Sequence, residues 1–227
     1  EEEKDDEGDK QATKEKVTQP DVVLDELIII DSTATQGGGV YASGCVDLEI
    51  DDSLIEGNSA EQGGGIYIGV ADESEVSFLL DDSTVTGNTA TQGGGLWAGA
   101  SWGSVYDSII SDNTAEETGG GVQLSGTLYV YTSYEGYTAI TGNTADQGGG
   151  VYFDTDSWLY STNTDWGGAE DKKTGETAAD NTPDDVDGPD LTDAPYSFGV
   201  DEDFDCTDKE GCVVDEDKKK KKKEEAR

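Results

Sequence analysis

The 227-residue chain contains no histidine and no methionine, and its 14 lysines and arginines stand against 52 aspartates and glutamates, a formal charge of -38. The shortage is sharper locally: from Val17 to Asp171 there is no Lys, Arg or His. Each absence removes a class of chemistry. Without cations the body has nothing to pair with phosphates, which argues against nucleic acids and anionic membrane surfaces as partners. Triad hydrolysis needs a base such as His, lyase chemistry on acidic sugars usually takes Lys or Arg, and phosphate sites want a cation, so only carboxylate chemistry is left to this region. Three cysteines and no histidine do not make a zinc site. No apolar run approaches the ~20 residues of a membrane-spanning helix. Apolar residues never recur at 3.6-residue spacing, and no Asn-Gly pair joins apolar runs, so helical solenoids and meanders fit less well.

What is present is a repeat. Gly-Gly-Gly triplets begin at Gly37, Gly63, Gly93, Gly119 and Gly148, intervals of 26, 30, 26 and 29 residues, and a fixed period of that size marks a solenoid or an array. Ahead of four triplets stands one phrase: Gly57-Asn58-Ser59-Ala60, Gly87-Asn88-Thr89-Ala90, Asp112-Asn113-Thr114-Ala115 and Gly142-Asn143-Thr144-Ala145, with Asp31-Ser32-Thr33-Ala34 as its degenerate first copy. After each triplet come Val40, Ile66, Leu96, Val122 and Val151, and two residues on Ala42, Ile68, Ala98, Leu124 and Phe153. These share one face of a strand. A second strand alternates Val46, Leu48, Ile50 with Asp47, Glu49, and Val76, Phe78, Leu80 with Ser77, Leu79. A third carries Ile55, Val85, Ile110 and Ile140, each three residues before the Asn. Three strands per period make one coil of an all-β, parallel β-helix of about five coils, with Gly triplets at tight corners. The crossover rule makes it right-handed. Stacked at ~4.8 Å, about five coils span roughly 25 Å, and Asn58, Asn88, Asn113 and Asn143 form a ladder of amides.

The pattern Ile/Val-x-Gly/Asp-Asn-Ser/Thr-Ala-x-x-Gly-Gly-Gly-Ile/Val/Leu-Tyr resembles the repeats of chlamydial polymorphic outer-membrane proteins and related bacterial extracellular β-helix proteins. Those repeats pair a Phe-x-x-Asn element with a Gly-Gly-Ala-aliphatic element. Here Ile55, Val85, Ile110 and Ile140 take the Phe position, and Gly65, Gly95, Gly121 and Gly150 the Ala position. The match covers about residues 27 to 166 and is to the broad repeat class. It implies a secreted or surface-exposed, often adhesive protein and brings no catalytic residues with it; the family's autotransporter members also carry a C-terminal membrane barrel, which this chain does not show.

Two rows are candidate sites. Tyr41, Tyr67, Trp97 and Tyr152 follow the first apolar residue of their strands and face outward, interrupted by Gln123. Such a row stacks on sugar rings or another apolar partner, or it is cross-coil packing, worth roughly 0.2–1 kcal/mol per pair. The second row is the acidic corner of Asp51, Asp52, Asp81, Asp82 and Asp107, each pair or single Asp followed by Ser. Stacked carboxylates about 5 Å apart repel by on the order of 1 kcal/mol in water. Calcium takes oxygen ligands and would relieve them, although the calcium nonapeptide of β-rolls is absent; otherwise the corner is a salt-screened face. No cofactor is required. Asp201-Glu202-Asp203-Phe204-Asp205 opens like an EF-hand loop but has Cys206 and Cys212 where its Gly and Glu belong, so it reads as an ordinary acidic loop. The hydroxyl row Thr33, Ser59, Thr89, Thr114, Thr144 sits at a turn and not across a flat strand face, which disfavours ice binding.

Four segments follow. Residues 1-16 are charged and disordered; the missing initiating Met and apolar leader point to a removed leader or a piece of a longer chain. Residues 17-171 are the repeat domain. Residues 172-205, rich in Asp, Gly and Pro, close the last coil around Asn181-Thr182-Pro183. Residues 206-227 hold Cys206 and Cys212, spaced to close a small disulfide loop in an extracellular protein, and a solvated tail around Lys218 to Lys223. Cys45 reads as a small buried residue. The functional expectation is an extracellular or cell-surface structural or adhesive module that presents a repetitive face to a glycan or protein partner, without enzymatic activity. Its rival is a glycoside hydrolase using paired Asp carboxylates. The open ends invite end-to-end stacking or membership of a longer chain.

Overall fold

The computed structural model describes residues 21–44, 47–69, 76–99, 102–133, 136–154, 157–162, 164–167, 179–187 and 197–198. The acidic EF-hand-like stretch and all three cysteines, with the expected Cys206–Cys212 bridge, lie outside these residues, as do both charged tails. The described strands form a parallel β-helix of about five coils. Every strand pairs in parallel with its counterpart one coil away, and the register slips only between Ala115 and Thr118, where Thr118 pairs with Gln92.

Three sheets run the length of the stack. The long sheet is built from five-residue strands, among them Asp21–Asp25, Asp47–Asp51, Ser77–Asp81, Trp102–Tyr106, Thr127–Tyr131 and Trp158–Thr162. The short sheet contains Leu54–Glu56, Thr84–Thr86 and Ile109–Ser111. The glycine-led sheet contains Val40–Ser43, Ile66–Gly69, Leu96–Ala98, Val122–Leu124 and Val151–Phe153. Period-two alternation decides which side chains enter the core. Leu48, Ile50, Phe78, Leu80, Ile55, Val85, Ile66 and Ile68 are all buried in one cluster that runs through the stack. A large side chain in one coil is matched by a small one in the next: the Phe78 ring occupies the space beside Gly103, where a Cβ would lie 2.5 Å from Cζ.

The corners explain the repeat phrase. Between the long and short sheets the chain turns at Glu26, Asp52, Asp82 and Asp107, with φ of 52, 44, 40 and 46°. Asp is among the few residues with a side chain that adopt this left-handed region readily. The following Ser53, Ser83 and Ser108 are buried, and each hydroxyl oxygen accepts the backbone N–H of the preceding coil at 3.0 Å, from Leu27, Ser53 and Ser83 respectively. At the next corner the left-handed residue is Gly57, Gly87 or Gly142, or else Asp31 or Asp112. Asn follows it in every coil but the first, where Ser32 follows Asp31. Asn58, Asn88, Asn113 and Asn143 are fully buried, and each Nδ2 donates 3.0 Å to the Oδ1 of the next, ending on Asn181.

The glycine triplet has two physical reasons, only one of which is a matter of φ. Its first member is left-handed throughout, with φ of 58 to 65°. The second and third are needed because neighbouring coils approach closely: a Cβ on Gly94 would lie 2.5 Å from the Gly120 oxygen, and one on Gly95 2.7 Å from the Gly121 oxygen. The hydroxyl row also departs from expectation. It does not sit at a bare turn: Thr89 and Thr114 begin the paired strands Thr89–Gln92 and Thr114–Thr118. Bridges extend the line through Thr33, Ser59, Thr144 and Thr182. Beyond the repeats, residues 179–187 stack as a partial coil, with Val186–Asp187 paired to Val151 and Tyr152.

Candidate functional site

Tyr41, Tyr67 and Trp97 occupy one register position of the glycine-led sheet, as do Gln123 and Tyr152 farther along. The register therefore forces the first three rings together. Tyr41 and Tyr67 stack at 5.3 Å between centroids with planes 3° apart, and Tyr67 and Trp97 at 4.7 Å and 14°. Gly69 and Gly99, two residues after Tyr67 and Trp97, leave the space these rings fill. Burial raises the pKa of the Tyr67 phenol, as does Tyr41 beside it, against a hydrogen bond with Gln36 that lowers it. The stack turns ring faces toward one another, which packs the coils together, and leaves the Tyr41 side chain 56% exposed at its end. Tyr152 stands apart from it, because Gln123 intervenes. Its phenol is raised by burial and then by the nearby carboxylates of Asp154 and Asp187. Gln123 is itself buried and donates to Asp154 at 3.4 Å, while its Oε1 has no hydrogen-bond partner among the described residues.

The acidic corner is assembled by the same registration. Asp25, Asp51 and Asp81 align, as do Glu26, Asp52, Asp82 and Asp107. Carboxylate oxygens of Asp25, Asp51 and Asp52 lie within 4.8 Å of one another, and so do those of Asp51, Asp81 and Asp82. Both sets offer only oxygen, the donor type that suits a hard divalent cation. Burial and crowding raise the pKa of two of these carboxyls. The Asp81 pKa is raised by burial first, then by Asp82 and Asp51, against the Asp82 backbone N–H, which lowers it. Asp82 is raised by burial, then by Asp107, Asp52 and Asp51. The Asp81 Oδ1 is buried without a hydrogen-bond partner among the described residues. Asp107 also acts beyond the corner, where its Oδ1 accepts the Ser133 N–H at 2.7 Å and so pins the loop after Tyr131. Asp25 is not among the acidic residues singled out from the sequence. It lies 26 residues before Asp51, one repeat interval away, and that spacing is the signal that would have found it.

A third feature was not legible as a row. The outer face of the long sheet carries Trp102, Tyr106, Tyr129, Tyr131, Trp158 and Tyr160, of which Trp102, Tyr131 and Trp158 are exposed. Tyr129 stacks on Tyr160 at 4.8 Å and on Trp102 at 6.3 Å. On the N-terminal side of this patch a shallow groove of about 370 Å³ opens, walled by Trp102 and Tyr131 and bordered by Leu79, Ser77, Asp47 and Glu49.

Residues 52–69 match the family model described as the Chlamydia polymorphic membrane protein (Chlamydia_PMP) repeat. The matched stretch runs from the left-handed Asp52 through the ladder residue Asn58 and the triplet at Gly63 to the strand bearing Tyr67. The chain thus carries a repeat of this type, folded as the short-sheet and glycine-led strands of one β-helix coil, and the repeat suggests outer-membrane or surface association. No curated protein and no solved structure gives a match.

Proposed function

We propose that this chain is a structural and adhesive module of an extracellular or cell-surface protein, a rigid stack that holds outward side chains at fixed intervals for a glycan or protein partner. The observation that carries the reading is the stack of parallel-paired coils, closed inside by an Asn ladder from Asn58 to Asn181 and carrying a surface-type repeat. Such a stack is stiff because each coil is bonded to both neighbours along its length. The first coil leaves Val22, Val23, Ile28 and Ile30 exposed, which supports stacking on a further coil of a longer chain or of a second copy. No cofactor is needed for this role. Calcium, where taken up, would be held by Asp25, Asp51, Asp52 and by Asp51, Asp81, Asp82.

A carboxylate-only glycosidase is the rival. Its acid and base would be a pair of carboxyl groups ~5–5.5 Å apart if retaining or ~6.5–9.5 Å apart if inverting, and the crowded corner of Asp25, Asp51, Asp52, Asp81 and Asp82 is where such a pair would stand. The test is protease shaving and antibody labelling of intact producing cells, followed by adhesion of beads coated with the purified chain. Exposure on intact cells together with bead adhesion supports the proposal. Protection from protease, or beads that adhere to no surface, overturns it.

A further inference from the structure

The outer face of the long sheet changes character halfway along the stack. In the column that passes through Asp47 the next residues are Ser77, then Trp102. Trp102 stacks on Tyr129 of the following coil, while its register neighbour on the other side is Ser77, whose hydroxyl donates to Asp47. Ser77 is too short to cover an indole, so one face of Trp102 looks into the groove. The side chain is 52% exposed. Aliphatic lining comes from Leu79, Val22 and Val23, and Asp47 and Glu49 supply hydrogen-bond acceptors. An open aromatic face, aliphatic lining and a few hydrogen-bonding groups are what a pyranose ring requires: its C–H face stacks and its hydroxyls donate.

Charge narrows the ligand. The groove has two carboxylates, and the repeat domain supplies no Lys, Arg or His anywhere between Val17 and Asp171. Uronic, sialic and sulfated sugars would bring an anion to a site with nothing to pair it. We propose that this groove is a sugar-binding subsite for uncharged hexose or N-acetylhexosamine units of a polysaccharide, with Trp102 as the stacking platform and Asp47 and Glu49 as hydroxyl acceptors. This deepens the adhesive reading and rests on it. It also moves the ligand from the self-stacked Tyr41–Tyr67–Trp97 column to a different sheet.

The test uses the full chain with hexasaccharides of cellulose, mannan, β-1,3-glucan and chitin, and polygalacturonate as the anionic comparison, read by tryptophan fluorescence and calorimetry. Binding of at least one neutral hexasaccharide is expected, weakened about tenfold or more by Trp102→Ala and also by Glu49→Gln, but unchanged by Tyr67→Ala/Trp97→Ala. Far-UV circular dichroism of each variant separates lost binding from lost fold; Glu49→Gln, isosteric and on the outer face, keeps the test valid should Trp102→Ala misfold. Failure of all four neutral probes to bind, binding insensitive to both Trp102→Ala and Glu49→Gln, or preference for polygalacturonate overturns the proposal. Bead adhesion to cells that persists through such a failure leaves the surface-module reading standing and removes only the sugar site.

Discussion

At the scale of single residues, one amide per coil carries an unusual share of the stability. Asn113 accepts the backbone N–H and the Nδ2 of Asn88 at 2.9 and 3.0 Å, and donates to Val85 O and to Asn143 Oδ1, each at 3.0 Å. Asn113→Ala would leave several buried polar groups unmatched, each costing ~1–3 kcal/mol. A loss of about 3 kcal/mol or more is expected in urea unfolding, several times that of an exposed Thr114→Ala. The acidic corner works in the opposite direction. Because the folded pKa of Asp81 and Asp82 lies above the ordinary value, the folded state binds these protons more tightly than the unfolded one. Their contribution is therefore most favourable below the ordinary carboxylate pKa and is lost as pH rises through the raised folded value. Asp81→Asn removes one of the crowded charges. The variant is expected to melt at a higher temperature than the parent at pH 7 and to show a shallower fall of Tm between the acid range and neutrality.

At the scale of elements, the long sheet shows how strands select partners beyond polarity. The Phe78 ring fills the space that Gly103 leaves in the next coil. Gly103→Val would force the two together, and overpacking of this kind costs ~1–3 kcal/mol. Phe78→Leu in the same chain should recover part of that loss, so a double-mutant cycle by chemical unfolding is expected to give a clear coupling between the two sites. Additive losses would mean that the ring can move aside. The glycine corner was legible beforehand, and the first glycine of each triplet falls where the chain needs a left-handed residue; the structure adds the Asp or Gly before each ladder Asn. The other two glycines were not legible, because the oxygens they accommodate belong to the neighbouring coil.

At the scale of the whole molecule, charge and architecture pull against each other. Stacking aligns like residues, and with a formal charge of -38 it aligns carboxylates. Salt shortens the screening length from ~10 Å at 0.1 M to ~3 Å at 1 M, below the ~4.8 Å between coils. Raising NaCl from 10 mM to 1 M should therefore raise Tm by several degrees in scanning calorimetry. A flat response would mean that the acidic columns are already neutralised by bound ions or protons.

The sequence by itself determined the solenoid, its period, the buried faces of the three strands and the Asn ladder, because period-two alternation shows within each strand and the ladder Asn stands five or six residues before every triplet but the first. Tertiary structure decided which side chains meet on the outer face. The link from the glycine-led strand to the long strand changes length from coil to coil, with Ser43 to Asp47 in one, Gly69 to Ser77 in the next and Ala98 to Trp102 after that. Aromatic residues at unequal offsets, such as Trp102, Tyr129 and Tyr160, are therefore scattered in the sequence and adjacent in the stack. Asn181 joins the ladder 38 residues after Asn143 for the same reason: hydrogen bonding between coils depends on where a residue stands in its turn, not on the length of chain spent reaching it.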